Sequence, residues 1–231
     1  SVFLDSAYRI AAPLRDYVRL GYILTNMGDL RRMTGDHLNA TIYYNDAIHA
    51  AKKGGDLRRE AFAYSALAEI RHVLGDTATA LEEAMKANAI AIRINEKSIY
   101  HATLSSMGQV YALQRNYSKA DSCFRLAAER CREMNNQLRL SVNLCSLAEL
   151  ELQQDRPDSA IRKAQEALSI ALSIEDGNEI ADANGIIGRA YHFKKDYVNA
   201  EKHLVAARDS ARSYGITWLM SSAGHFLSET Y

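Results

Sequence analysis

The sequence has few prolines, few cysteines, no net charge and no long apolar run, and each of these features excludes a class of protein. Two prolines in 231 residues, together with 48% hydrophobic residues, argue against a disordered chain. The 28 Lys and Arg residues balance the 28 Asp and Glu residues, so the basic surface of a duplex-binding or membrane-surface protein is missing. No apolar run approaches the roughly 18 residues of a membrane span. We therefore expect no direct nucleic acid binding and no membrane contact by this segment.

The three cysteines, Cys123, Cys131 and Cys145, are odd in number and lack the spacing of a disulfide framework or a metal site. We interpret them as buried free thiols in a cytoplasmic protein, and we expect neither a metal nor another cofactor. The sequence begins at Ser1 and not at Met. A removed targeting segment, as in a periplasmic sensor region, therefore stays an open alternative.

The sequence does contain an internal repeat, and its forty-residue period has no insertion or deletion. Small residues recur at this interval in three columns. The columns hold Gly28, Ala68, Gly108, Ala148 and Gly188; Ala40, Ala80, Ala120, Ala160 and Ala200; and Ala47, Ala87, Ala127, Ala167 and Ala207. Within each unit, apolar residues follow the helical spacing i, i+3, i+4, i+7, which predicts two helices. A small residue at a helix crossing lets the two axes approach closely.

The period predicts one array of helix pairs over the whole chain. Its five full repeats, called the first to the fifth, span residues 16–55, 56–95, 96–135, 136–175 and 176–215, with partial repeats at 1–15 and 216–231. Gly35 suits the end of a helix and Asp36 the N-cap of the next one, and Asp76 and Asn116 occupy the same cap position. Because the array stops within a repeat at both ends, we expect the parent chain to continue past Tyr231, where an output domain is one candidate.

The segment M-G-Q-V-Y, which ends at Tyr111, is followed by Ala120, Phe124 and Ala127. This pattern resembles the tetratricopeptide repeat, and I-G-R-A-Y ending at Tyr191 matches nearly as well. The forty-residue period is longer than usual and is similar to arrays in bacterial peptide-sensing and transcription regulators. The resemblance implies an all-α fold, a right-handed α-solenoid (superhelix) of antiparallel helix pairs.

By this resemblance, the first helices of the repeats line a concave groove that binds a protein or peptide ligand. Groove-facing positions lie three before, one after and four after the Gly108 column. The candidate partner-binding residues at these positions are Asp29, Arg32, Ser65, Glu69, His72, Ser105, Gln109, Glu149, Arg189 and His192. Family members that bind chaperone tails hold a terminal carboxylate at such positions, and the acidic residues found here argue against that ligand.

No catalytic constellation is present in the sequence. Glu69 and His72 have the Glu-x-x-His spacing of di-iron helices, but such sites need a second copy, so a solvated helix face is the better interpretation. Neither a HExxH motif, a phosphate-binding loop nor a nucleophile elbow occurs. We therefore expect a non-enzymatic protein- or peptide-binding scaffold. The alternative is a ligand-sensing segment of a larger bacterial signal-transduction or transcription regulator.

Overall fold

The computed structural model of the chain describes residues 2–214, and every regular element in that range is an α-helix. The helices are α1 (Val2–Leu14), α2 (Tyr17–Met33), α3 (His37–Gly54), α4 (Leu57–Val73), α5 (Thr77–Arg93), α6 (Lys97–Leu113), α7 (Tyr117–Glu133), α8 (Gln137–Leu152), α9 (Pro157–Ser173), α10 (Gly177–Phe193) and α11 (Tyr197–Tyr214). None of these described helices is long and apolar enough to cross a membrane. The predicted partial repeat at 216–231 lies outside the described residues.

The turns between helices repeat one backbone geometry every twenty residues. One residue in each turn has a left-handed conformation, and these residues are Arg15, Gly35, Gly55, Gly75, Asn95, Arg115, Asn135, Asp155, Glu175 and Lys195. At most turns the next residue accepts a hydrogen bond from a backbone N–H of the following helix, which satisfies a donor that the helix cannot pair internally. The predicted N-caps Asp36, Asp76 and Asn116 are confirmed.

Close helix crossings explain the column of small residues in the first helices. A Cβ atom added at Gly28 would lie 2.8 Å from Cε1 of Tyr44, and one added at Gly188 would lie 2.7 Å from Cγ of Leu204. Each contact joins the first helix of a repeat to the second helix of the same repeat, sixteen residues along the chain. A hydrogen at the first position therefore makes room for a large side chain at the second.

The chain divides into two compact units, Ser1–Gln114 and Arg115–Tyr231. In the first unit, α1 to α6 pack in sequential order, and α4 also contacts α2 and α6. In the second unit, α7 to α11 pack in order, and α8 also contacts α10. Contact between successive first helices is what lets them form one continuous face within each unit. The division falls inside the predicted third repeat, between α6 and α7.

Candidate functional site

In the first unit, an arginine links α2 to α4. Nη1 of Arg32 lies 3.3 Å from Oε2 of Glu69, and Nη2 of Arg32 lies 3.6 Å from Oδ1 of Asp29. The Tyr44 hydroxyl donates a 2.7 Å hydrogen bond to the same Asp29 oxygen. Burial and this hydrogen bond raise the pKa of Tyr44, so its hydroxyl stays protonated as the donor. Three of the predicted binding residues thus form one network, in which Arg32 lies between two carboxylates.

The other predicted residues of the first unit differ in exposure. Gln109 is exposed, whereas Ser65 is only 7% exposed, so Ser65 does not line an open surface. Ser105, at the position equivalent to Ser65, is half-buried, and its hydroxyl donates to the backbone oxygen of His101 over 3.1 Å. His72 is half-buried, and its Nδ1 atom has no hydrogen-bond partner among the described residues.

In the second unit, a bidentate ion pair joins α8 and α10. Nη1 of Arg189 donates a 3.1 Å hydrogen bond to Oε1 of Glu149, and Nη2 of Arg189 bonds the other carboxylate oxygen. This parallel arrangement is the strongest form of an arginine–carboxylate contact. The ring of His192 meets the Tyr197 ring edge-on, with centroids 5.7 Å apart. All three predicted residues are half-buried at the same face.

Beside the Glu149–Arg189 pair lies a group of acidic side chains that the sequence did not reveal. One ligand-type atom from each of Cys145, Glu179 and Asp182 lies within 4.8 Å of the others. Burial, together with the Asp182 charge, raises the pKa of Glu179 to about 7. Burial also raises the pKa of Asp182 and of the Cys145 thiol. The period predicts which residues share a position on successive helices, but it does not predict which side chains meet across two helices.

The three cysteines are free thiols, as predicted. Cys131 and Cys145 are also buried as predicted, whereas Cys123 is only half-buried. Elsewhere in the second unit, a polar cleft of about 300 Å³ lies between the first half of α7 and the end of α8. Glu151 lines this cleft, and its carboxylate lies 3.1 Å from Nζ of Lys163.

Residues 99–173 match the family model of the tetratricopeptide repeat. This segment belongs to the tetratricopeptide repeat family. No curated protein sequence matches the chain at a significant level.

Solved structures extend the tetratricopeptide repeat fold over most of the chain. BtubC (BKLC) from P. vanneervenii is 20% identical with a TM-score of 0.78, over 92% of this chain and 88% of that one. A Rap protein complexed with competence and sporulation factor is 13% identical with a TM-score of 0.79, over 92% of this chain and 63% of that one. A STAND protein with a tetratricopeptide repeat sensor from Pyrococcus horikoshii is 17% identical with a TM-score of 0.76, over all of this chain and 36% of that one. The predicted fold class, an all-α solenoid of helix pairs, is confirmed.

Proposed function

We propose that this chain is a non-enzymatic scaffold that binds a protein or peptide partner on the face formed by the first helices of its repeats. The observation that carries the proposal is the pair of cross-helix contacts, Arg32 with Glu69 and Glu149 with Arg189. Each contact holds polar side chains of two successive first helices in place. A partner that lies across these helices meets donors and acceptors that are already ordered, which lowers the entropic cost of binding.

The ion pairs also restrict the chemistry of the partner. A ligand carboxylate must compete with Glu149 for Arg189, and the bidentate geometry makes that exchange unfavourable. Uncharged hydrogen-bonding groups, such as a peptide backbone, can use the outer lone pairs and N–H groups without breaking the pair. An extended peptide or a helix with a polar face therefore suits this surface better than a terminal carboxylate. The Rap protein complexed with a competence and sporulation factor is a precedent for ligand binding on this fold.

Selection from a displayed random peptide library tests the proposal. Peptides selected on the chain are expected to lose about tenfold or more in affinity for the variant Asp29→Lys/Glu69→Lys/Glu149→Lys, since it reverses charge on the proposed face. The matched control, Glu82→Lys/Asp158→Lys/Glu166→Lys, reverses three exposed carboxylates on the second helices and should bind normally. Equal loss by both variants, or a selection that enriches no peptide, would contradict the proposal.

A second candidate is a ligand-sensing segment of a larger bacterial regulator. The likeness to a STAND protein that carries a tetratricopeptide repeat sensor favours it, because this chain corresponds to only 36% of that protein. The reading frame beyond Tyr231 decides between the two. A kinase, ATPase or DNA-binding module there supports the sensor, and a stop codon soon after Tyr231 contradicts it.

A further inference from the structure

Cys145, Glu179 and Asp182 bring one thiol and two carboxylates together, and the proposed binding of a protein partner does not account for this combination. Cys145 lies on α8, and the two carboxylates lie one helical turn apart on the same side of α10. We propose that these three side chains bind a divalent, thiol-preferring cation of the zinc type, which links α8 to α10. This inference does not rest on the proposed function, since it concerns contacts within the second unit alone.

The geometry is that of an open metal site with three protein ligands. The three ligand atoms lie within 4.8 Å of one another. Zinc binds sulfur and oxygen at about 2.0–2.3 Å, which places tetrahedral ligands about 3.3–3.8 Å apart. Binding would therefore draw the three ligand atoms together by up to about 1.5 Å, through rotation of the Glu179 and Asp182 side chains. The fourth position is left for water or a partner group.

A buried polar atom points independently to a missing positive ligand. Oε2 of Glu179 is wholly buried and has no hydrogen-bond partner within the described part of the chain. The Cys145 side chain is 3% exposed, its thiol donates a hydrogen bond to Asp182, and the charges that act on it come from Asp182, Glu179 and Glu149. A buried carboxylate oxygen without a donor is costly, and a bound cation removes that cost.

The nearby cations do not neutralise this group. Arg189 acts on Asp182, but its guanidinium already makes a bidentate contact with Glu149. Arg139 acts on Glu179 through its charge, but the charges of Asp182 and Asp176 act on the same carboxylate with the opposite sign. Three half-buried carboxylates, Glu149, Glu179 and Asp182, therefore share two arginines here.

The ligand set favours zinc, cadmium or cobalt over calcium or magnesium. A thiolate is a soft ligand, whereas calcium and magnesium take oxygen ligands almost exclusively. On binding, the cation replaces the thiol proton of Cys145 and any proton held by Glu179 or Asp182, and these protons go to solvent. No metal-binding motif marks this site in the sequence, because the cysteine and the carboxylates lie on different helices and are separated by more than thirty residues.

Titration with Co²⁺ tests the site, because cobalt reports thiolate ligation by a charge-transfer band. The reduced, chelator-treated 231-residue chain is expected to bind one equivalent of Co²⁺ with that band, and Zn²⁺ should displace it. Cys145→Ser should abolish the band, and Asp182→Asn should weaken Co²⁺ binding by about tenfold or more. The matched control is Cys123→Ser/Cys131→Ser, which leaves Cys145 as the one thiol and should keep both band and affinity.

Circular dichroism identifies variants that fail to fold. Should Cys145→Ser be unfolded, the control and Asp182→Asn still decide the matter, since a folded Asp182→Asn chain with unchanged cobalt affinity overturns the proposal. Absence of the charge-transfer band in the parent chain, or its loss in the Cys123→Ser/Cys131→Ser variant, also overturns it.

Discussion

The second and fourth repeats place opposite charges at the same three positions. These positions hold Arg71, Asp76 and Glu83 in the second repeat, and Glu151, Arg156 and Lys163 in the fourth. Nη1 of Arg71 lies 3.9 Å from Oδ2 of Asp76, and Nη1 of Arg156 lies 3.7 Å from Oε2 of Glu151. An ion pair therefore links the end of the first helix to the following turn in both repeats, although each charge is inverted. The two ion pairs thus share complementary signs and not particular residues.

Burial distinguishes the two clusters. The Glu151 side chain is 9% exposed, whereas the Arg71 side chain is 34% exposed. In the second repeat the most buried member is Glu83, whose pKa is raised by burial and lowered in part by Lys86 and Arg71. The charge on the first helix should therefore affect the free energy of unfolding most in the fourth repeat, where Glu151 is shielded from water.

The largest effect is expected from reversing that charge. Glu151→Arg places a third cation beside Arg156 and Lys163, and should lower the free energy of unfolding by about 3–5 kcal/mol. The triple variant Glu151→Arg/Arg156→Asp/Lys163→Glu recreates the charges of the second repeat and should recover most of this loss. Urea unfolding followed by circular dichroism measures both.

The control for this prediction is Arg71→Glu, which makes the corresponding reversal in the second repeat. Since Arg71 is more exposed, we expect a smaller loss, about 1 kcal/mol. A loss from Arg71→Glu as large as that from Glu151→Arg would show that burial does not set the difference.

The next largest effect is expected at the helix crossings, where the repeats also differ from one another. The second and fourth repeats have alanine in the column where the first has Gly28 and the fifth has Gly188. Gly28→Ala would drive a methyl group to within 2.8 Å of the Tyr44 ring, and should cost about 1–3 kcal/mol by overpacking. Thermal unfolding measures the loss.

Gly185→Ala is the matched control for the crossing. A methyl group there would meet its nearest neighbour, Cβ of Ala207, at 4.0 Å. We expect it to stabilise the chain by about 0.8–1 kcal/mol, because alanine favours a helix more than glycine does. Equal effects of Gly28→Ala and Gly185→Ala would contradict the crossing explanation.

The contrast between repeats also shows what the sequence can predict. Contacts such as Gly28 with Tyr44 join residues at a fixed distance along the chain, so a forty-residue period reveals them. The helices, their caps and the fold class follow from the same periodicity. The meeting of Cys145 with Glu179 and Asp182 does not, because it depends on where side-chain tips lie between two helices. Ser65, which the resemblance to the family places among the binding residues, is only 7% exposed.

A smaller effect is expected at the turns of the second and fourth repeats. Gly75 has φ of +80°, and Asp155, at the equivalent position, has φ of +57°. No described atom lies within 4 Å of a Cβ added at Gly75, so Gly75→Ala tests backbone strain alone and should cost about 1 kcal/mol.

Asp155→Gly makes the opposite change in the fourth repeat. It removes the left-handed strain of a residue with a side chain, and we expect a gain of about 0.5 kcal/mol. Chemical denaturation measures both variants. A destabilised Asp155→Gly chain would mean that the aspartate makes an interaction at the turn that outweighs its backbone strain.

The smallest effect is a pH dependence in the fifth repeat, where His203 stands at the position of Lys163. Instead of an ion pair, its ring stacks on Tyr191 with centroids 5.9 Å apart, and its Nδ1 lies 2.9 Å from Oδ1 of Asn184. Burial, and to a lesser extent Lys202, lowers the pKa of His203 below its ordinary value of 6.5.

Because the unfolded chain keeps the ordinary histidine value, it binds the proton more readily than the folded chain does. The contribution of neutral His203 is therefore complete above pH 6.5 and is lost as the pH falls through 6.5 towards the lowered folded value. His203→Gln, which keeps a hydrogen-bond donor near Asn184 but cannot titrate, should flatten this part of the curve of melting temperature against pH. An unchanged slope in His203→Gln would assign the pH dependence to other groups. It would also show that the His203–Tyr191 stack tolerates a charged histidine, at the position where the fourth repeat has the charged Lys163.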